Sequence, residues 1–202
     1  MERLTELPRL PLEFFTRDVA IVARELVGKA LVHRRRAGII VETEAYGGPE
    51  DLASHTRFGI TARNSVMFGR GGVAYVYLCY GIHEMFNIVT GEAGQGQAVP
   101  IRAVAPLAGM ADDPTVGKGP GKVTRALLLD RRHDRRDLTR GALYAASPPE
   151  LAPFEVATGP RIGVDYAGEH WASQPLRFWW RDHPSVSAVS RTSRTVSTRR
   201  KR

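Results

Sequence analysis

The strongest constraint on the fold is a β-strand that ends abruptly within the sequence IIVETEAYGGPEDLASH, residues 39–55. Its first half is rich in β-branched residues, which favour an extended backbone. Side chains alternate along a strand, so Glu42, Glu44 and Tyr46 share one face. A Gly-Gly-Pro turn at residues 47–49 then ends the strand. By itself the stretch favours an edge strand with two solvated glutamates; the alternative is a carboxylate and a tyrosine at the mouth of a site.

The segments around this strand predict further strands and a few helices. Strands are expected at residues 30–33, 39–46 and 98–104, and two β-rich runs around Gly81 predict a hairpin. Thr16 is the expected N-cap of a helix that stops near Gly28. A second helix is expected after the glycine-rich loop in VGKGPGKVTRALLLD, residues 116–130.

The charge of the chain is concentrated at its C-terminus. The 202 residues carry a formal net charge of +8, and residues 191–202 contribute six basic side chains and no acidic one. The rest holds 23 basic and 21 acidic residues, which is a net charge of only +2. We therefore expect one folded domain at residues 1–190 and a disordered basic tail at residues 191–202. The tail suits a polyanion, although a merely solvated tail is the alternative.

A second basic cluster, at residues 131–140, is interspersed with aspartates and predicts a salt-bridged helix face. The single cysteine, Cys79, excludes an internal disulfide and is expected to pack in the core. The N-terminus is unlike a signal peptide, and no apolar run reaches the length of a membrane span, so the expectation is an intracellular protein without membrane contact.

Several kinds of site are excluded by spacing. The six histidines show no metal-ligand spacing and there is no CxxC pair, so no metal and no cofactor are expected. The His83-Glu84 pair could suggest a zinc-protease site, but such a site needs a second histidine four residues after the first, and Asn87 occupies that position. The loop before residue 122 does not match a P-loop, but its backbone N–H groups and Lys122 could hold a nucleic-acid phosphate as well as form a simple junction. Clustered tyrosines could stack on an extruded base or simply pack in a hairpin.

A series of separated blocks narrows these alternatives. They are VETEAYGGPEDLASH, TARNSVMF, YVYLCYGIHEMFNIV, IRAVAPL, GPGKVTRAL, GPRIGV and PLRFW. Their order and spacing, over residues 12–189, closely resemble the 3-methyladenine (alkyladenine) DNA glycosylase family. The resemblance implies a single α+β domain, an α-β roll, in which a curved, mostly antiparallel sheet carries flanking helices and a protruding hairpin that enters DNA. It also implies a monomer that acts on double-stranded DNA containing damaged purines, in a bacterial cytoplasm or a eukaryotic nucleus.

The resemblance also assigns roles to individual residues. Glu44 corresponds to the general base that activates a water molecule. Arg102 corresponds to a residue that helps to hold that water and the flipped nucleotide, and the backbone carbonyl of Ile162 corresponds to a further ligand of the water. Tyr46 and Tyr77 correspond to the walls that stack on the base, His55 to a polar contact in the same pocket, and Asn87 to the group that crowds a guanine 2-amino group. Tyr80 corresponds to the hairpin residue that fills the gap in the duplex. Arg57 is an expected phosphate contact by its place two residues after His55, and Lys122 is one by its place at a helix start.

The chemistry of the substrate agrees with these roles. A 3- or 7-alkylated purine is cationic and leaves readily, so one carboxylate is enough where most glycoside hydrolases use two. None of the four lysines falls in the pocket blocks, which predicts a monofunctional enzyme that leaves an abasic site. The alternative function is non-catalytic binding of nucleic acid through the tail and the tyrosines.

Overall fold

A curved antiparallel sheet dominates the fold, as predicted. The computed structural model describes residues 7–148 and 150–187, so the basic tail at residues 191–202 lies outside the described residues. Eight strands are seen there: β1 (Ala30–His33), β2 (Arg36–Glu44), β3 (Ala74–Cys79), β4 (His83–Thr90), β5 (Gln97–Ala108), β6 (Leu143–Ala146), β7 (Val156–Gly159) and β8 (Arg177–Trp180). The helices are α1 (Leu12–Phe15), α2 (Val19–Leu26), α3 (Pro120–Leu127) and α4 (Glu169–Ser173).

The strands follow the order β3-β4-β5-β2-β1-β6, and β8 joins β2 and β7 outside this path. Two long strands change partner along their length. β5 pairs with β4 through its first residues and with β2 through the rest, whereas β2 pairs with β1 through its first half and with β8 through its second half. This exchange of partners curls the sheet into a half-barrel, and the predicted α+β class is confirmed.

Strand β2 lies in the interior of the sheet, so the expectation of an edge strand with solvated glutamates is wrong. Glu42 is 0% exposed and Glu44 is 1% exposed. The cause is the pairing with β8, which sets Glu42 opposite Trp179 and Glu44 opposite Arg177. A local pattern shows which residues are extended but not which distant strand will cover them.

Helix α2 begins two residues later than expected. Thr16 ends α1, and the Asp18 carboxylate caps α2 by accepting hydrogen bonds from the backbone N–H groups of Ala20 and Ile21. The carboxylate also suits the positive end of the helix dipole. With this start, the buried residues of α2 recur at the spacing of one helix face and pack in the main core.

The predicted hairpin consists of β3 and β4. At its tip Tyr80 and Gly81 both have positive φ values, of 50° and 73°, and the N–H of Ile82 donates to the carbonyl of Cys79. A tight turn with two left-handed residues matches the twist of the flanking strands and lets the tip project. Cys79 is half-buried at the end of β3, so the expectation that it packs in the core is wrong.

The basic segment at residues 131–140 forms its predicted salt bridges but not the predicted helix. A short 3-10 turn at Arg131–His133 leads into an irregular segment that lies along the free edge of β3. The aspartates accept from neighbouring arginines, as in the Arg132–Asp130 and Arg140–Asp137 pairs. Backbone hydrogen bonds to Ala74 replace the intrahelical ones that a longer helix would have made.

Candidate active site

A cavity of about 540 Å³ opens between β2, the β3–β4 hairpin, β5 and the loop after β7. It collects eight of the ten residues that the sequence predicted for the site: Glu44, Tyr46, His55, Tyr77, Tyr80, Asn87, Arg102 and Ile162. Arg57 and Lys122 are not part of its lining. Residues from distant parts of the chain therefore meet around one space.

Glu44 lies at the end of β2 and is held by three donors. Its Oε1 accepts from the backbone N–H of Ile162 at 2.8 Å and lies 3.3 Å from Nη1 of Arg102. Its Oε2 accepts from the hydroxyl of Tyr46 at 3.0 Å. Two carboxylate oxygens offer about four acceptor positions, so Glu44 retains the capacity for one further donor on the cavity side.

Arg102 on β5 joins Glu44 to a second buried carboxylate. Its Nε donates to Oε1 of Glu42 at 3.1 Å, so one guanidinium serves both glutamates. Glu42 also accepts from Nε of Arg177 at 2.7 Å and from the backbone N–H and hydroxyl of Ser187. Burial lowers the pKa of Arg102, but the negative charges of Glu44 and Glu42 together have the larger effect and raise the pKa above its usual value. Arg102 is therefore a permanent cation in a fixed position.

A buried ion pair that the sequence did not reveal supports Tyr46. The guanidinium of Arg161 lies 4.6 Å from the centroid of the Tyr46 ring, and it binds both carboxylate oxygens of Asp51 and the carbonyl of Ala45. Burial, followed by the charge of Glu44, raises the pKa of Tyr46 well above its usual value, so the phenol stays a hydrogen-bond donor to Glu44. The sequence blocks that contain Asp51 and Arg161 were recognised, but no local pattern in the sequence links two residues that are 110 positions apart.

The facing wall is built from aromatic rings of β3 and the loop before it. The His55 ring meets the Tyr77 ring edge to face at 4.7 Å, and its Nδ1 lies 3.1 Å from the hydroxyl of Tyr75. Burial, with help from Arg63 and Arg57, lowers the pKa of His55 to about 4, so the imidazole is neutral near pH 7. Burial also raises the pKa of Tyr77. The wall is thus uncharged apart from Arg63, which lies over the Tyr77 ring at 4.8 Å.

Asn87 fixes the hairpin against this wall. Its side-chain amide donates to the carbonyl of Tyr75 across the β3–β4 pair at 2.9 Å, and only 4% of the residue is exposed. Tyr75 is 2% exposed, and it both packs in the hairpin and lines the cavity. Met85 and Tyr166 also line the cavity without having been singled out in the sequence.

Large apolar side chains are exposed at the hairpin tip and on a loop, and both of these segments contribute residues to the cavity lining. Tyr80 is 93% exposed and Ile82 is 68% exposed at the hairpin tip, whereas Phe58 is 82% exposed and Ile60 is 68% exposed on the loop between His55 and Arg63. Large exposed apolar groups in segments that border a cavity suggest an interaction surface.

The two predicted phosphate contacts lie outside the cavity. The Arg57 guanidinium is 4.5 Å from the Phe58 ring centroid and 5.1 Å from that of Tyr166, so it lies at the rim. Lys122 is exposed on the first turn of α3, and its Nζ donates to the carbonyl of Thr115 at 3.2 Å.

Comparison of the sequence with known proteins identifies a family of DNA glycosylases. Residues 13–184 match the family model described as methylpurine-DNA glycosylase (MPG). The chain belongs to this family, and the family predicted from the sequence blocks is confirmed. It is thus a hydrolase of N-glycosyl bonds that acts on alkylated bases in DNA.

Curated relatives resemble the chain over most of its length. A protein of Myxococcus xanthus (strain DK1622) is 50% identical over 182 residues, which cover 88% of this chain and 93% of the relative. One of Anaeromyxobacter sp. (strain Fw109-5) is 47% identical over 96% of this chain and 100% of the relative. One of Legionella pneumophila (strain Corby) is 44% identical over 89% and 98%, respectively. Each is proposed by its name to be a 3-methyladenine DNA glycosylase.

Within residues 7–148 and 150–187, no helix has the length and apolar character needed to cross a membrane.

Proposed function

We propose that the chain acts as a monomer on double-stranded DNA, extrudes an alkylated purine into the cavity and hydrolyses its N-glycosidic bond with water activated by Glu44. One observation supports this most directly: the Glu44 carboxylate is 1% exposed yet lines a tyrosine-walled cavity of about 540 Å³. Burying a carboxylate costs free energy of folding, and a buried carboxylate that borders an open cavity is a typical feature of a site that binds a reactant.

In the proposed reaction Glu44 takes a proton from water while the water oxygen bonds to C1′ of the deoxyribose. The C1′–N bond breaks, and its electron pair neutralises the cationic purine, which leaves without needing a proton. Arg102 holds Glu44 in place and offers its remaining N–H groups to the nucleotide. The N–H of Ile162 fixes Glu44 from the other side, and its carbonyl is proposed as a ligand of the water.

The walls of the cavity suit a flat cationic ring. We assign Tyr46 and Tyr77 to the two faces of the purine, because electron-rich phenol rings attract a positive charge held over them. His55 is neutral, so it can offer a polar contact without repelling that charge. Asn87 is held by its bond to the Tyr75 carbonyl and is proposed to crowd a guanine 2-amino group.

The rim is proposed to hold the duplex open. Tyr80 projects from a tight turn and could fill the gap left by the extruded nucleotide, which offsets part of the few kcal/mol that unstacking costs. Arg57 at the rim and Lys122 on the first turn of α3 are proposed to contact backbone phosphates.

The variant Glu44→Gln tests the catalytic assignment. Glutamine keeps the shape of the side chain, and its single carbonyl oxygen can still accept from the N–H of Ile162 while its NH2 group faces the hydroxyl of Tyr46 as a donor, but it cannot take a proton from water. We expect release of 3-methyladenine from a defined duplex to fall roughly 10²- to 10⁴-fold under single-turnover conditions, with DNA binding retained. Glu25→Gln, on the exposed face of α2, is the control and should release the base as the parent does. Unchanged release by Glu44→Gln would contradict the mechanism, and a parent that releases nothing would favour a binding protein.

We further propose that the enzyme is monofunctional. Strand cleavage needs an amine that attacks C1′ and forms a Schiff base. Among the described residues the lysines do not line the cavity, and the Nζ groups of Lys118 and Lys122 bind backbone carbonyls. Incubation of the enzyme with lesion-containing duplex and borohydride should therefore trap no covalent adduct. A trapped enzyme–DNA adduct would refute the proposal.

A further inference from the structure

A second, larger depression lies at the other end of α3. Pro120 at the start of this helix lines the catalytic cavity, whereas Leu128, directly after its end, lines an open cleft of about 1260 Å³. The helix has eight residues and is therefore about 12 Å long. We call this depression the arginine cleft, because seven arginines line it: Arg34, Arg35, Arg36, Arg125, Arg132, Arg136 and Arg140.

Three of the seven arginines already have partners within the fold. Arg36 donates to the carbonyl of Ala126 at the C-terminal end of α3 at 2.7 Å, where a cation also suits the helix dipole. Arg132 and Arg140 pair with Asp130 and Asp137, and these two aspartates are the only acidic residues in the described lining.

The other four arginines have no such partner. The side chains of Arg34, Arg35, Arg125 and Arg136 are exposed, and none makes a hydrogen bond or an ion pair to another described residue. Both lining aspartates are paired with other arginines, and the partner of Arg36 is an uncharged carbonyl. Seven arginines and two aspartates therefore leave an excess of five positive charges around one concave surface, four of them on guanidinium groups without a partner among the described residues. Four unpaired like charges repel one another, and an anionic ligand would relieve that repulsion.

The rest of the lining indicates what kind of anion fits. No phenylalanine, tyrosine or tryptophan lines the described part of the cleft, in contrast to the catalytic cavity. Two histidines lie at its base: the Nδ1 of His33 is 2.7 Å from the Leu127 carbonyl, and its Nε2 is 3.2 Å from Nε2 of His133. Within the residues that the structure describes, the cleft therefore offers guanidinium groups, two histidine rings that already bond to each other, and none of the larger aromatic rings that line the catalytic cavity.

We propose that the arginine cleft is a second nucleic-acid contact that binds backbone phosphate groups and no bases. Guanidinium groups match phosphate oxygens in bidentate geometry, and the enzyme's substrate is a polyanion whose phosphates recur at short intervals. Two sources share this chemistry. The phosphates can belong to the flank of the duplex whose lesion occupies the catalytic cavity, or to a second DNA segment held at the same time.

The salt dependence of binding to undamaged duplex tests the proposal. Each phosphate contact that is lost reduces the slope of log Kd against log salt by about 0.9, so the variant Arg34→Gln/Arg35→Gln/Arg125→Gln/Arg136→Gln should lose about 2 to 4 units of slope. The urea midpoint should equal that of the parent, because the four side chains are exposed. Undamaged DNA has no base to release, so this measurement does not depend on the role of Glu44.

A matched pair of single variants separates a local site from a general loss of charge. Arg125→Gln removes an exposed arginine from the last turn of α3, and Arg24→Gln removes one from the last turn of α2 outside both depressions. Arg125→Gln should reduce the salt slope by about 0.9, and Arg24→Gln should leave it unchanged. Equal losses in the two variants, or a quadruple variant with the parent's slope, would overturn the proposal.

Two further binding experiments distinguish the two possible sources of the phosphates. If the cleft binds the flank, extending the duplex on one side of the lesion should tighten binding by the parent and not by the quadruple variant. If it binds a second segment, the parent should bring two differently labelled duplexes into energy-transfer range, and the quadruple variant should not. A parent that shows neither effect would overturn the proposal.

Discussion

At the scale of single residues, two glutamates two positions apart share one arginine but have different surroundings. Glu42 is enclosed by Arg102, Arg177 and Ser187, whereas Glu44 faces the cavity. The sequence blocks identified Glu44 through the family resemblance. They did not reveal the role of Glu42, because its partners lie 60 to 145 residues away and only the folded chain brings them together.

The neutral state of His55 predicts a pH dependence of stability. Its pKa falls from 6.5 in an unfolded chain to about 4 in the folded protein. Between these values the unfolded chain binds a proton that the folded chain does not, so the free energy of unfolding should fall as the pH falls from 6.5 to 4 and level off below. The stabilisation is fully present above pH 6.5.

Urea unfolding at about pH 7 and about pH 5 measures this effect. His55→Gln removes the titrating group, so its loss of stability between the two values should be smaller than that of the parent. His170→Gln, at an exposed position on α4, is the control and should behave like the parent. If His55→Gln loses as much stability as the parent, the imidazole does not contribute in this way.

At the scale of elements, the sequence predicted which segments are extended better than it predicted their partners. The hairpin, the strand with Arg102 and the helix after the glycine-rich loop were all confirmed, because alternation, turn residues and a proline at the first helical position are local signals. The interior position of β2 was missed, because it depends on β8, more than 130 residues further along the chain.

The hairpin tip allows a test in which a substitution should weaken DNA binding without changing the stability of the protein. Tyr80→Ala removes a side chain that is 93% exposed, so the urea midpoint should not change. Stacking by an aromatic ring is worth about 1–3 kcal/mol, so the Kd for lesion-containing duplex should rise roughly 5- to 150-fold in a fluorescence anisotropy titration. Ile21→Ala, another exposed apolar residue on α2, should leave the Kd unchanged. A parent-like Kd for Tyr80→Ala would remove Tyr80 from the interface.

At the scale of the whole molecule, positive charge collects in two places, and only one of them could be predicted from the sequence. The basic excess of the sequence falls mostly in residues 191–202, whereas the four unpaired arginines of the arginine cleft come from a part of the chain that is nearly neutral. The sequence predicted the first and could not predict the second. A cluster of arginines separated by up to about 100 residues becomes a site only through the curl of the sheet.

Deletion of residues 191–202 tests the role of the tail. It lowers the net charge from +8 to +2, so fewer counterions should be displaced on binding and the slope of log Kd against log salt should become shallower. A full-length variant with the six basic residues changed to glutamine should behave like the deletion, because charge and not length is responsible. An unchanged slope in both would show that the tail does not contact DNA.

The pairing of β2 with β8 has a consequence for biosynthesis. Glu44 is anchored by the N–H of residue 162, and the neighbouring carboxylate that secures Arg102 is closed off only by residues 177 and 187. The chain must therefore be synthesised as far as residue 187 before all these partners of Glu42 and Glu44 are in place. A chain that stops between residues 166 and 177 would carry every tyrosine that lines the cavity and still lack Arg177 and Ser187, which enclose Glu42. We expect such a truncated chain to be unable to remove bases from DNA.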